Sequence, residues 1–429
     1  MSEKDFRFEV TRLGECGIPS PLSAVRFVRD DEYVLYDANP QEVKKHLAQG
    51  KELPAMEVAG PRERICFDPS RLRCGIVTCG GLCPGLNDVI RSIVMSLYHH
   101  YGVRTIYGFR YGYEGLSPKY GHAPLELDPQ VVGHIHEFGG TILGSSRGPQ
   151  DVSEMVGALE RMNIGILFTI GGDGTLRGAH DLAEEVKRRG LRIAVVGIPK
   201  TIDNDICFVQ MSFGFETAVF EARRATYSAH SEAEGARNGI GLVKLMGRDS
   251  GFIAAYAVLA DSSVNFCLVP EVPFRLEALL EALHERLKKR GHAVIVVAEG
   301  AGQDLLQKTA ERDASGNIRH GDIGVFLRDE IKAHFAQIGF EVNLKYIDPS
   351  YIIRSMPAIP HDSAFCLLLG HNAVHAAMSG RTDMVVGFWN QQFTHVPIPL
   401  AVSKRKEIDP HDRLWNSVLS TTGQPKDLA

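Results

Sequence analysis

Charge of either sign is not in surplus. Lys plus Arg number 47 and Asp plus Glu number 52 in 429 residues, a formal net charge of −5 with histidine neutral. No excess marks DNA, RNA or an anionic membrane as the main partner. Long apolar runs are missing too. The longest tempting one, Phe252 to Ala260, falls far below the ~20 residues of a membrane-spanning helix. Met1 to Cys16 carries acids and lacks an apolar core, so no signal peptide is expected. Cysteine is sparse, with eight residues at 16, 66, 74, 79, 83, 207, 267 and 366. That is too few for a disulfide framework. Cys79 and Cys83 are close, but no second pair or histidine cluster follows at zinc spacing. Reduced thiols and a cytoplasmic location are the expectation. Low-complexity tracts and solenoid repeats are also absent. With 44% hydrophobic and 23% charged residues, a disordered or fibrous chain is excluded.

What is plentiful is glycine, 43 residues, above the usual ~7% of a chain. Excess glycine suggests tight turns and close approach of backbone to a ligand. The first 70 residues hold few periodic segments and are interrupted by Pro19, Pro21, Pro40, Pro54, Pro61 and Pro69. They read as an extension lying on the main body. From Arg73 the pattern changes. Cys74 to Thr78 is a short apolar strand, Gly80 to Gly85 a loop, and Asn87 to His99 has the spacing of a one-faced helix. The unit recurs: strand Ile164 to Ile170, turn Gly171 to Gly174, a helix ended by Gly190, then strand Leu191 to Ile198. Two strands flanking a helix make a βαβ unit, so the sheet is largely parallel. Further strands are expected at Ile240 to Leu245 and Ala293 to Ala298, with a helix over Leu276 to Arg290. The fold class is α/β, with two similar Rossmann-like lobes. The boundary falls near residues 208–218.

Three glycine loops carry chemistry. Gly171-Gly172-Asp173-Gly174-Thr175 follows a strand and opens a helix. Glycine lets a phosphate approach the backbone, and the helix start offers unpaired N–H groups. Asp173 is placed to hold a divalent ion bridging phosphates, or merely to cap the helix. The pattern is neither a P-loop nor a dinucleotide fingerprint. Gly80-Gly81 with Pro84-Gly85-x-Asn87 is the second loop, and Gly139 to Arg147 the third. Arg147 suits a phosphate or a surface ion pair.

Acceptor chemistry is written elsewhere. Pro199-Lys200-Thr201-Ile202-Asp203-Asn204-Asp205 puts two carboxylates beside a lysine and a threonine at a strand end. One can take a proton from a substrate hydroxyl while the other orients it. Lys200 can meet the charge of a transferring phosphoryl group. Met246-Gly247-Arg248 also follows a strand, and Arg248 can reach an anion. Pro270-Glu271 can offer a carboxylate to sugar hydroxyls or form an ordinary turn. Lys345 to Arg354 mixes basic, aromatic and hydroxyl groups, as a sugar phosphate requires, and Arg354 can make a bidentate phosphate contact. His361, His375 and His395 read as structural.

These elements, with Gly112 to Leu116, stand in an order that resembles the 6-phosphofructokinases. The likeness is to the group holding the pyrophosphate-dependent, plant and trypanosomal enzymes, and covers about residues 73–390. It implies a phosphofructokinase-like α/β fold. An extension 1–70 would precede a nucleotide lobe 71–214 completed by about 363–400. A sugar-phosphate lobe 215–362 and a tail 401–429 would follow. The resemblance puts the donor over Gly81, Tyr113, Arg147, Gly172, Asp173, Gly174 and Thr175, with Mg2+ on Asp173. It makes Asp203 the general base on the 1-hydroxyl of fructose 6-phosphate, assisted by Thr201 and Asp205. Lys200 and Arg248 would stabilise the moving phosphoryl group. Met246, Gly247, Arg248, Glu271, Lys345, Tyr351 and Arg354, with Thr201 and Asp203, would hold the sugar phosphate.

Asn238 to Ile240 and Ser363 stand where compact bacterial members carry arginines for the 6-phosphate. Gly174 goes with ATP in this family, whereas Lys200 is usual in pyrophosphate enzymes and in the plant and trypanosomal ATP enzymes. ATP-dependent glycolytic phosphofructokinase is the expected activity, with pyrophosphate dependence or an inactive nucleotide sensor as alternatives. The family also implies a homo-oligomer, with a tetramer expected, and allosteric control. The ending Asp427-Leu428-Ala429 matches no peroxisomal or glycosomal address.

Overall fold

The computed structural model describes residues 6–306, 320–426 and 428. They form two compact units. The first holds residues 1–201, 206–214 and 356–404, and the second holds 202–205, 215–355 and 405–429. The chain leaves the first unit after Gly214 and rejoins it at Met356.

The first unit is built on a nine-stranded sheet. Its middle is parallel, in the order Met384–Trp389, Ala194–Pro199, Ile166–Gly171, Arg73–Thr78 and Thr105–Phe109. Ile166–Gly171 and Ala194–Pro199 are buried along their whole length, as strands covered on both faces must be. Helix Asp173–Arg188 turns Leu176, Ala179, Leu182, Ala183 and Val186 inward, the 3.6-residue stripe seen in the sequence. Helix Leu86–Met95 begins as expected, but its continuation Ser96–Tyr101 widens into a π-turn. That seats Tyr101 inside, its hydroxyl 2.8 Å from His375 Nδ1.

The sheet's margins are antiparallel, and one of them corrects the picture of the extension. Gln392–Pro397 pairs with Met384–Trp389, Ala55–Val58 pairs with Gln392–Pro397, and Tyr33–Leu35 closes the edge. Thr11–Arg12 adds a second pairing, to Arg381–Thr382. The stretch before residue 70 thus contributes strands to the first unit and is not only a covering. Charge locks them there. Buried Glu57 accepts from Arg12 at 2.8 Å, from Arg381 at 2.5 Å and from His395 Nδ1 at 2.7 Å. Burial alone would raise the Glu57 pKa, but the bonds from His395 and Arg381 hold it well below the carboxylate range.

The cysteine reading also needs correction. Cys16 and Cys66 form a disulfide, while the other six cysteines are buried and take part in no disulfide. Fifty residues separate the pair, so spacing gave no signal. The antiparallel pairing of Ile18–Pro19 with Arg64–Ile65 is what brings them together.

The second unit carries a parallel four-stranded sheet, in the order Phe266–Leu268, His292–Ala298, Gly239–Leu245 and Asn343–Ile347. Its core packs Leu279, Leu283 and Leu287 of helix Leu276–Arg290 with Leu327 and Ile331 of helix Ile323–Gln337. The C-terminal segment belongs to this unit. Helix Arg413–Thr422 buries Trp415 and Val418, and the Gln424 side chain bonds the Cys267 backbone in both directions. No helix among the described residues is long and apolar enough to cross a membrane.

Candidate active site

In the first unit, register decides what meets. Thr78 and Ile198 both lie opposite Ile170, and Pro199 lies opposite Gly171. Three parallel strands therefore end level, and their loops emerge side by side at the carboxyl edge, where α/β sheets bind ligands. These are the Gly80, Gly171 and Lys200 loops.

Their contacts are direct. Lys200 is only 6% exposed, and its ammonium donates to the Gly81 carbonyl at 2.5 Å. Its backbone N–H donates to the Gly171 carbonyl at 3.0 Å. Gly80 has φ +84°, and a Cβ there would lie 3.3 Å from Lys200 Nζ. Glycine is thus required for conformation and for the cation's approach. The third loop joins them through Ser145 Oγ, which donates to the Gly80 carbonyl, and Gly80 N–H, which donates to Ser146. Arg147 at its end is exposed.

Gly172 is the N-cap of helix Asp173–Arg188 and provides no side-chain cap. The helix's first N–H groups therefore look for an outside acceptor. Asp173 is partly exposed, and its carboxylate meets Arg177 one turn on at 3.3 Å. Gly174 is exposed, and a Cβ added there meets nothing within 4 Å. Tyr113 is tied to the same helix start. Its ring is buried and its hydroxyl donates to the Thr175 carbonyl at 2.7 Å. Its contribution is to seat the start of the helix.

In the second unit a set of polar groups surrounds Asp203. Burial pushes the Asp203 carboxyl well above the usual range, and the charges of Asp205, Glu299 and Asp249 push the same way. The Arg405 guanidinium opposes them. Arg405 bonds Asp205 at 3.2 Å and also bonds Asp249. Lys406 N–H donates to the Asp205 carbonyl at 2.7 Å. Sequence reasoning missed Arg405, Asp249 and Glu299. Arg405 lies 200 residues from Asp205, and no local pattern marks it.

Strand Gly239–Leu245 leads into Met246, Gly247 and Arg248. Met246 is buried, and Gly247 has φ +129°, with Ser250 O 2.8 Å from where a Cβ would stand. The turn thus needs glycine and fixes where Arg248 leaves the sheet. Arg248 and Arg354 both act electrostatically on Glu299. Arg354 lies 5.1 Å from the ring of Tyr351. Tyr351 is 83% exposed, and Lys345 is exposed as well.

Glu271 has structural work: its carboxylate accepts from Gly251 N–H and Ile408 N–H, both at 2.9 Å. Asn238 lies at the amino end of strand Gly239–Leu245, opposite the edge that carries Met246, and its amide donates to the Glu341 carbonyl. Ser363 bonds Asp88 in the first unit.

No cluster of three or more His, Cys, Asp or Glu suited to a metal occurs among the described residues. One carboxylate beside a phosphate cradle still suits Mg2+, which commonly takes one or two carboxylates and completes its shell with phosphate oxygens and water.

Comparison with known proteins gives the family. The phosphofructokinase family model matches residues 73–377. An ATP-dependent 6-phosphofructokinase of Borreliella burgdorferi is 49% identical, over 99% of this chain and 98% of that one. One from Trypanosoma cruzi is 48% identical, over 91% of this chain and 81% of its own. A pyrophosphate-dependent phosphofructokinase from Marinobacter aquaeolei has the same fold, with a TM-score of 0.67, 20% identity, and coverage of 82% and 91%. Glycine loops, Lys200, the Asp203 setting and similarity along the whole length converge: this chain belongs to the phosphofructokinase family.

Proposed function

We propose that the protein transfers the γ-phosphoryl group of ATP to the 1-hydroxyl of fructose 6-phosphate, giving fructose 1,6-bisphosphate and ADP in glycolysis. The level strand ends at Thr78, Ile170 and Ile198 carry this reading. They set Lys200 against two glycine loops and an uncapped helix start, a cradle for a polyphosphate.

The phosphate chain lies along Gly81, Gly172, Gly174 and Thr175, with Arg147 on its outer side. Asp173 would hold Mg2+, which supplies charge neutralisation between the phosphates. Asp203 removes the proton from the sugar's 1-hydroxyl as that oxygen bonds to the terminal phosphorus. The bond from phosphorus to the ADP oxygen breaks in line, and its electrons leave with ADP. A carboxyl held above its ordinary range is a stronger base, suited to an alcohol proton. Lys200 is three residues before Asp203, so their Cα atoms lie within roughly 11 Å. Lys200 and Arg248 meet the charge that grows on the transferring group, while Thr201 and Asp205 orient the base. Met246, Gly247, Lys345, Tyr351 and Arg354 hold the sugar phosphate, Arg354 on the 6-phosphate. Glu271 braces that wall through Gly251 and Ile408. The protein works in the cytoplasm as a homo-oligomer.

The test is product formation from fructose 6-phosphate and Mg2+, with ATP and pyrophosphate supplied separately at equal concentration. Turnover with ATP and almost none with pyrophosphate is expected. The reverse preference would make Lys200, not Gly174, the guide to the donor. Failure with both would overturn the activity.

A further inference from the structure

The catalytic segment is short and held from both sides. On one side lies strand Ala194–Pro199, with Lys200 bridged to Phe213. On the other, the chain returns to the first unit at Ile206, one residue after Asp205. What fixes that return is unusual. Phe208 is 5% exposed and has φ +59°, a left-handed conformation that a bulky residue adopts only when its surroundings enforce it. The surroundings are rings from the far N-terminus. Phe6 and Phe8 lie with their centroids 5.0 and 5.2 Å from Phe208, both edge to face. Tyr36 lies 5.5 Å from Phe208 and stacks on Trp389 at 5.2 Å. Phe8 itself is 6% exposed. The segment bearing it is anchored twice more, by the pairing of Thr11–Arg12 with Arg381–Thr382 and by the Cys16–Cys66 bond.

We propose that Phe6 and Phe8 are positioning residues for the catalytic segment. By clamping Phe208 in its left-handed conformation they fix where the chain must turn after Asp205, and so fix the aim of the Asp203 carboxyl. Neither ring touches substrate. Their effect travels through five residues of backbone, from Phe208 to Asp203. Small displacements of a reacting group cost large factors in rate, so a clamp on one end of the loop acts on turnover more than on binding.

The inference rests on the activity proposed above, and the experiment separates the two. Full-length wild type, Phe8→Ala, Phe8→Leu and Phe8→Tyr are compared by steady-state kinetics with fructose 6-phosphate and ATP, from pH 5 to 9. Phe8→Ala should lower kcat about tenfold, leave KM for ATP within about twofold, and move the acid limb of the pH profile. Phe8→Tyr should restore both. If Phe8→Ala does not fold, Phe8→Leu keeps the volume but loses the ring, and a lowered kcat is expected there. Amide hydrogen exchange of residues 201–209 gives a reading independent of turnover, and faster exchange is expected in Phe8→Ala. A variant that only melts earlier, with unchanged kcat, pH profile and exchange, overturns the clamp. An inactive wild type whose Phe8→Ala variant still shows faster exchange would fault the activity and leave the clamp standing.

Discussion

Asp203, the base of the proposed reaction, shows how neighbours set the character of one side chain. Burial and three nearby carboxylates push it up, and Arg405 alone among its main influences pulls it down. Removing that cation should raise it further. A base works only when ionised, so the acid limb of kcat/KM in Arg405→Gln should move to higher pH, by up to about one unit. A pH–rate profile reads this directly, and an unmoved limb would remove Arg405 from the base's surroundings. Gly174 makes a different argument. A side chain there has open space within the protein, so Gly174→Asp should fold and melt like the wild type. In the proposed reaction it would crowd the nucleotide, by bulk and by charge. ATP turnover should fall at least tenfold, the equivalent of about 1.4 kcal/mol, and unchanged ATP kinetics would contradict the placement of the donor. Asp203 and Gly174 draw attention in the sequence because each sits in a short local pattern at a strand end. Arg405 does not, because folding alone joins it to Asp205.

Secondary elements divide along the same line. The buried strands and the helix Asp173–Arg188 announce themselves through periodicity and punctuation, and their bounds move by only a few residues between reading and structure. Tyr33–Leu35 and Ala55–Val58 announce nothing. They are three and four residues long, and Glu57 pairs with His395 across most of the chain. Burial of a charge made that edge invisible, since an acid within so short a run reads as surface. Glu57 has become the centre of a buried ionic cluster instead. Glu57→Ala leaves buried Arg381 with only the half-exposed Asp30 as a carboxylate partner, and should cost about 2–3 kcal/mol of stability. The measurement is a urea denaturation midpoint. The wild-type contribution is complete above the unfolded carboxylate value, near 4.5. Because the folded value is depressed, it is lost as pH falls below that point. A Glu57→Ala protein as stable as the wild type at pH 7 would show that the cluster is dispensable.

The whole chain is knitted at its two termini, each into a different unit. Residues from 405 onward complete the second unit and those before 70 complete the first. Composition could not separate these cases, because both stretches are polar and interrupted. The Cys16–Cys66 bond closes a 50-residue loop in the first unit, worth about 4 kcal/mol by the loop-entropy relation. Oxidised protein should therefore melt above protein treated with dithiothreitol, and Cys16→Ser should melt like the reduced form in both conditions. Equal melting of oxidised and reduced wild type would mean that the bond contributes nothing in solution.

The edge made by Ala55–Val58 has a consequence for biosynthesis. Its partner strand, Gln392–Pro397, follows it by more than 330 residues. At ribosomal rates of about 5–20 residues per second, the early strand waits roughly 17–70 seconds for it. Throughout that time Met56, wholly buried in the finished sheet, has no strand to lie against on that side. Paired with Tyr33–Leu35 on its other side, the strand keeps one open edge while the chain is being made, and it is during translation that a holding chaperone has most to protect.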